Sequence, residues 1–151
     1  MQRKRKKVQT VLIENKIRDR VRYEIAEALA SKHPMTKQGH LDIMFTLQKD
    51  FQEKNKWINF KTKSIKYKEE RTQQMLFAVI EESIELKREL NLKEWKKERK
   101  EVDVDKVKEE LIDIFHFIIN IALIWGLSPE DLLEQFLEKQ TTNRVRQRLG
   151  Y

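Results

Sequence analysis

Four carboxylates on two predicted helices are the residues best suited to chemistry. Glu82 and Glu85 are three positions apart, and so are Glu110 and Asp113. Residues at this spacing project from the same face of a helix, one turn apart. Burying carboxylates side by side is costly unless a cation meets them. Two such helices packed antiparallel would create an all-oxygen site, and hard oxygen ligands suit Mg²⁺ or Mn²⁺.

The same acids have a simpler interpretation as parts of solvated helix surfaces. Acidic pairs on helices often form surface ion pairs with lysines, which are abundant in this chain. That interpretation is weaker for Glu110 and Asp113, because the residues around them are mostly apolar and offer no polar face. We therefore favour a metal site, although the spacing by itself indicates only a divalent cation.

The elements that must position these acids are predicted to be helices. Apolar residues recur at helical spacing in residues 11–30, 41–54, 71–90 and 104–125. The helix at 104–125 is apolar almost all round from Leu111 onward, so we expect it to be buried and to end at Gly126. Ser128 and Pro129 then begin a further helix. Residues 55–68 lack a clear period and are predicted to be a loop or a short irregular helix, and residues 142–151 a tail.

Composition favours an all-α helical bundle. The 151 residues include only three glycines and two prolines, too few for a fold rich in turns. We predict a single domain, in which residues 1–40 form a basic arm with an amphipathic helix and residues 41–151 form the core. Because many apolar positions remain in so short a chain, we expect a homodimer.

Charge and cysteine content narrow the possible partners. The net charge is +7, with five cations at residues 3–7, and no cysteine is present, which excludes thiolate metal sites. The longest apolar run, residues 111–127, is interrupted by Asp113, His116 and Asn120 and is too short for a membrane span. No secretory signal is found, so we expect a cytoplasmic protein without a membrane partner.

The acids also resemble a known signature. Glu81-Glu82-Ser83-Ile84-Glu85, then 24 residues, then Glu110-Leu111-Ile112-Asp113 is similar to the EExxE…ExxD pattern of the all-α nucleotide pyrophosphatases. That superfamily includes MazG-like enzymes, dCTP pyrophosphatases and dimeric dUTPases. Three further segments resemble the dimeric dUTPases: residues 113–117, the Trp95-Lys96 pair, and the ending with Lys139, Asn143, Arg146-Gln147 and Gly150-Tyr151.

The resemblance implies a helical bundle of the all-α NTP pyrophosphatase type and a role for each matching residue. Mg²⁺, or Mn²⁺ in its place, would be held by Glu82, Glu85, Glu110 and Asp113. Glu85, with Glu82, would be catalytic, and Glu85 would orient or deprotonate the attacking water. The implied substrate-binding residues are Gln48, Trp95, Lys96, His116, Phe117, Asn120, Lys139, Asn143, Arg146 and Tyr151.

The implied reaction is hydrolysis of dUTP, and of dUDP as a further substrate, to dUMP. Two departures leave the base open: Phe51 stands where the family often has Asn, and Ser83-Ile84 where small residues separate the acids. The alternative enzyme is a dCTP or broad-specificity MazG-like house-cleaning pyrophosphatase.

Two alternatives are not enzymes. One is a basic nucleic-acid-binding or regulatory module, carried by residues 3–7 and the lysines of residues 54–68. No helix-turn-helix or zinc pattern supports base readout, so we do not expect nucleic acid as a partner. The other is a structural helical dimer whose acids pair with lysines.

Overall fold

Every regular element in the part of the chain that the structure describes is helical. This computed structural model describes residues 13–21, 23, 39–92, 95, 97 and 101–150. The helices are α1 (residues 13–21), α2 (His40–Asn55), α3 (Ile65–Glu89), α4 (Val104–Trp125) and α5 (Pro129–Arg148). The predicted all-α helical bundle is therefore confirmed, while the basic run at residues 3–7 lies outside the described residues.

The chain divides into two compact units. One is Leu41–Ser128, and the other combines the described residues of Met1–His40 with those of Pro129–Tyr151. In the second unit, Arg18 of α1 forms an ion pair with Glu138 of α5. Val21 and Val145 are buried there. The four acids all lie in the first unit.

In the first unit, α3 packs along α4. Near the start of α3, Thr72 Oγ1 accepts a hydrogen bond from Trp125 Nε1 at the end of α4, at 2.9 Å. Further along α3, Glu82 lies beside Asp113, which is in the first half of α4. The order of partners is reversed between the two helices, so they are antiparallel.

The helix α3 begins earlier than predicted. The expectation of a loop or irregular helix holds only as far as Ser64, and the regular helix starts at Ile65 rather than at residue 71. Ser64 caps this helix, because its Oγ accepts a hydrogen bond from the backbone N–H of Tyr67 at 3.3 Å. The cap satisfies one of the N–H groups that a helix start leaves without a partner. The lysines of residues 61–68 interrupt the apolar pattern, so periodicity did not indicate where this helix begins.

The predicted tail at residues 142–151 is wrong up to Arg148, where α5 ends. Thr141 and Val145 are buried one turn apart and give this polar segment an inward side. The hydroxyl of Thr141 also donates to the carbonyl oxygen of Leu137 at 2.8 Å, which satisfies it within the helix. Residues 142–148 contain few apolar residues, so no apolar periodicity predicted this part of the helix.

The bounds of α4 agree with the prediction. Asp103 Oδ1 accepts hydrogen bonds from the backbone N–H groups of Asp105 and Lys106, at 3.0 and 3.4 Å. Gly126 ends the helix with φ of 74°, the left-handed conformation that glycine adopts without a Cβ penalty. None of the described helices is by itself long and apolar enough to cross a membrane.

The prediction that α4 is buried is wrong for part of the helix. Its second half buries Ile119, Asn120, Ala122 and Ile124, but eight apolar residues in the middle parts of α3 and α4, four on each helix, are 37–58% exposed. We call these eight residues the apolar face: Leu76, Phe77, Ile80, Ile84, Leu111, Ile112, Phe115 and Ile118. Helical periodicity places them on the sides of α3 and α4 opposite the acids.

Candidate metal centre

Three carboxylates of α3 and α4 converge at one place. Single oxygens of Glu82, Glu110 and Asp113 lie within 4.8 Å of one another, and all three residues are half-buried. In an octahedral Mg²⁺ site with Mg–O distances of about 2.1 Å, opposite ligands are about 4.2 Å apart. Small side-chain rotations would therefore bring these oxygens to ligand distances. The donor set consists only of carboxylate oxygens, which suits a hard divalent cation.

Crowding of negative charge marks this cluster. Burial, followed by the charges of Asp113, Glu85 and Glu110, raises the pKa of Glu82 above its ordinary value of 4.5. The pKa of Glu110 is also raised, with burial as the largest cause and the charges of Glu85 and other acids after it. Among the residues that the structure describes, neither Glu82 nor Glu110 has a cationic partner. Pairing with lysines therefore does not account for these two acids.

Glu85 lies at the edge of the cluster. Its side chain is 53% exposed, and the nearest cation is Arg88, with Nη1 3.8 Å from Oε1. It is not one of the three convergent carboxylates, yet its charge raises the pKa of both Glu82 and Glu110. Sequence reasoning missed Glu89 and Glu109, which also raise the pKa of Glu110. Glu89 follows Glu85 by one helical turn, so its spacing was an available signal.

A buried amide pair links α2 to α4. Gln48 Nε2 donates a hydrogen bond to Asn120 Oδ1 at 2.9 Å, and Asn120 is only 1% exposed. Asn120 Nδ2 in turn contacts Met75 Sδ on α3 at 3.7 Å. The sequence had indicated Gln48 and Asn120 as separate substrate-binding candidates, and the structure brings them together. Met75 was missed because a methionine in a helical stripe is usually part of the core.

This amide pair is expected to stabilise the fold. Asn120→Leu leaves the buried Gln48 N–H groups without their acceptor and should lower the free energy of unfolding by about 1–3 kcal/mol. Gln48→Leu should have a similar cost. Replacing both removes both polar groups, so the double variant should lose less than the sum of the single losses. Urea unfolding followed by circular dichroism measures this, and strictly additive losses would contradict the coupling.

The other predicted binding residues occupy three regions. His116 is half exposed on α4, with Nδ1 3.7 Å from Asp113 Oδ1, and Phe117 is half-buried beside it. Trp95 is exposed in the segment after α3. Exposed positions on one side of α5, in the other compact unit, hold Lys139, Asn143 and Arg146. Lys96 and Tyr151 lie outside the described residues.

Comparison with known families supports the resemblance seen in the sequence. The family model described as dUTPase matches residues 36–124, which is more than half of the chain. The match includes Gln48, the four acids and Asn120, whereas the candidates on α5 lie beyond it. No curated protein and no solved structure matches the chain.

Proposed function

The chain belongs to the dUTPase family and is a hydrolase of the dUTP diphosphatase type, and on this premise we propose that it is a Mg²⁺-dependent enzyme that converts dUTP to dUMP and pyrophosphate. The observation that carries the proposal is the convergence of Glu82, Glu110 and Asp113 within the matched residues. We propose dUDP as a further substrate, which would yield dUMP and phosphate.

Glu82, Glu110 and Asp113 would hold the cation, with Glu85 completing the site at its edge. A bound divalent cation neutralises charge on phosphate oxygens and lowers the pKa of a water molecule. Mn²⁺ would replace Mg²⁺, because both prefer oxygen ligands. The two helices would hold the carboxylates in fixed positions, because the helices pack directly against each other.

Glu85 is our proposed general base. Because its carboxylate lies at the edge of the convergent trio, one of its two oxygens remains able to accept a proton from the attacking water. Its half-exposed position gives water and substrate access to it. The water oxygen would attack at the α–β linkage, and the bridging P–O bond would break to release pyrophosphate.

Gln48 is the proposed base-reading residue. Its Nε2 is occupied by Asn120, so Oε1 remains as an acceptor, which suits the N3–H donor of uracil. A site that reads a base through hydrogen bonds rejects a wrong base more sharply than an apolar wall. Phe117 and Trp95 would line the base and deoxyribose pocket, supported by His116.

The phosphates require cations and donors beyond the acidic cluster. We propose that Lys139 and Arg146 stabilise the leaving pyrophosphate through charge-assisted hydrogen bonds. Further donors to the same oxygens would be Lys96, Asn143 and Tyr151. The spacing of four and three residues places the α5 members of this group on one side of that helix.

We also propose that the enzyme is a homodimer. Monomeric proteins rarely expose contiguous apolar patches beyond a few hundred Å², and larger patches usually mark interfaces. The apolar face consists of eight large side chains on two packed helices, and it lies opposite the acids. A second copy of the chain would cover this surface without covering the carboxylates.

A dCTP or broad-specificity pyrophosphatase is the second candidate. It is favoured by Phe51, which occupies the position where dimeric dUTPases often have a base-reading Asn. The Phe51 ring packs edge-on against Trp57, with centroids 5.6 Å apart, and offers no hydrogen bond to a base. Cytosine N4–H₂ could also donate to Gln48 Oε1, so only substrate comparison separates the two candidates.

Pyrophosphate release from dUTP, dCTP, dTTP, dATP, dGTP and UTP tests the proposal, with Mg²⁺ or with EDTA. We expect turnover only with Mg²⁺, and kcat/KM for dUTP at least about 100-fold above that for dCTP. Preferential turnover of dCTP, or equal turnover of many nucleotides, would support the second candidate while retaining the metal centre. Absence of turnover for every nucleotide would refute both.

A further inference from the structure

We propose that the segment joining α2 to α3 is a second binding site, which takes phosphate and base units of single-stranded nucleic acid. This segment and the adjoining ends of α2 and α3, residues 54–68 in all, are here called the connector. Its residues are distinct from the carboxylate cluster and from the candidates for dUTP binding. The inference therefore does not depend on the proposed hydrolysis.

The connector is strongly basic. It contains six lysines and no acidic residue: Lys54, Lys56, Lys61, Lys63, Lys66 and Lys68. The first five form no ion pair with any side chain that the structure describes, and Lys68 Nζ lies 5.7 Å over the Trp125 ring. Unneutralised lysines that meet phosphates release condensed counterions, which supplies affinity without sequence preference.

A groove of about 390 Å³ lies within the connector. Its lining includes Lys56 and Lys61, the aromatic residues Phe60 and Tyr67, and Asn59. One acid, Glu53, also contributes to the lining. The volume is within the range of sites for small organic ligands and can take one nucleotide unit. The lining combines cations for phosphate with aromatic surface for a base.

Hydrogen bonds hold the groove in shape. The phenolic oxygen of Tyr67 accepts from the backbone N–H of Asn59 at 2.9 Å, and Asn59 Oδ1 accepts from the N–H of Lys61 at 3.1 Å. Ile58 is buried and also lines the groove. Because the backbone is already ordered, a ligand would not have to offset the cost of ordering it.

Lys56 is held in an unfavourable conformation. Its φ of 56° is in the left-handed region, directly after the end of α2. The N–H of Lys56 bonds to the carbonyl of Glu53, and that of Trp57 to the carbonyl of Gln52. Glycine suits such a helix-ending position, so a lysine there costs stability. The same lysine places a cation in the groove, and a role in ligand binding would explain why this position is not a glycine.

Exposed aromatic rings favour a single strand as the ligand. Trp57 is 59% exposed, and Phe60 is half-buried next to the groove. Bases stack on such rings whatever their sequence, so neither a helix-turn-helix nor a zinc motif is needed. A single nucleotide in this groove cannot contact all six lysines, whereas a strand that crosses the connector can. A flat membrane surface would contact the lysines but would not fill the groove.

Fluorescence anisotropy with a labelled oligothymidylate of about 15 nucleotides tests the proposal, at low salt and in EDTA to disable the carboxylate site. The key variant is the full chain with Lys56→Gly and Lys61→Gln. Its matched control is Lys16→Gln with Lys106→Gln, which removes two exposed lysines elsewhere. We expect at least about tenfold weaker binding for the connector variant and little change for the control, with the salt dependence of log K reduced by about 1.4.

Two single variants separate binding from folding. Lys56→Gly should raise the melting temperature while weakening strand binding, because it removes strain and a cation together. Trp57→Ala should weaken binding about fivefold or more through lost stacking. Hydrolysis of dUTP should be unchanged in the two lysine variants, so failure of this inference is distinguishable from failure of the proposed hydrolysis.

Three results would overturn the inference. The first is equal strand affinity of the connector variant and its control. The second is binding of dUMP in EDTA as tightly as the strand, which would indicate a site for free nucleotides. The third is tighter binding to anionic phospholipid vesicles than to the strand, lost in the connector variant, which would indicate a membrane surface.

Discussion

Glu82→Gln is expected to lower kcat/KM for dUTP by at least about 1000-fold, because it removes a charged oxygen from the proposed metal centre. Glutamine keeps the size and the helical propensity of glutamate, so the fold should persist. Glu70→Gln is the matched control, since Glu70 is an exposed acid on the same helix. The measurement is the initial rate of pyrophosphate release at several Mg²⁺ concentrations.

The same variant should be more stable than the wild type when metal is absent. The pKa of Glu82 is raised by burial and by its acidic neighbours, so its charge is disfavoured in the folded protein. We expect a rise of roughly 1–2 °C in melting temperature in EDTA, kept small because solvent screens partly exposed charges. Mg²⁺ should then stabilise the wild type more than the variant.

The effect on stability has a definite sign with pH. A carboxyl group whose pKa is raised on folding is penalised when it is ionised, that is, above its folded-state pKa. As pH falls through that pKa towards 4.5, the penalty disappears. The advantage of Glu82→Gln in EDTA should therefore be greatest near neutral pH and shrink in acid. Full activity of the variant, or a lower melting temperature in EDTA, would contradict the metal-centre assignment.

Ile80→Glu is expected to convert a dimer into a monomer. Ile80 lies on α3 within the apolar face and is 55% exposed in the single chain. A charge at the centre of an apolar interface would have to be buried without a partner, at a cost of several kcal/mol. The chain has a mass of 18.4 kDa, so sedimentation equilibrium should give about 37 kDa for the wild-type dimer and half of that for the variant.

Leu133→Glu is the matched control for this experiment. Leu133 is exposed to a similar degree, on α5, but does not belong to the apolar face. The Leu133→Glu variant should therefore sediment with the same dimer mass as the wild type. A wild-type protein that is already monomeric at micromolar concentration would refute the dimer proposal. A dimer that survives Ile80→Glu would show that another surface joins the subunits.

The local part of this structure was predictable from the sequence. The spacing of Glu82 and Glu85, and of Glu110 and Asp113, expresses helical geometry that operates over one turn. The bounds of α4 were equally local, because Asp103 and Gly126 act on their nearest backbone groups. The all-α fold and the oxygen-only donor set followed from such short-range information.

Other features could not be predicted from the sequence, because they depend on packing between residues that are far apart in the chain. Gln48 and Asn120 are 72 positions apart, and no local pattern shows that one accepts a hydrogen bond from the other. The alignment of α3 against α4 brings Glu82 together with Asp113 and leaves Glu85 at the edge, and this is set by side-chain packing along both helices.

The start of α3 depends on the hydroxyl of Ser64, and the extent of α5 on burial of Val145. Periodicity could not separate the exposed apolar residues of α4 from the buried ones, because they look alike in the sequence until neighbouring elements cover some of them.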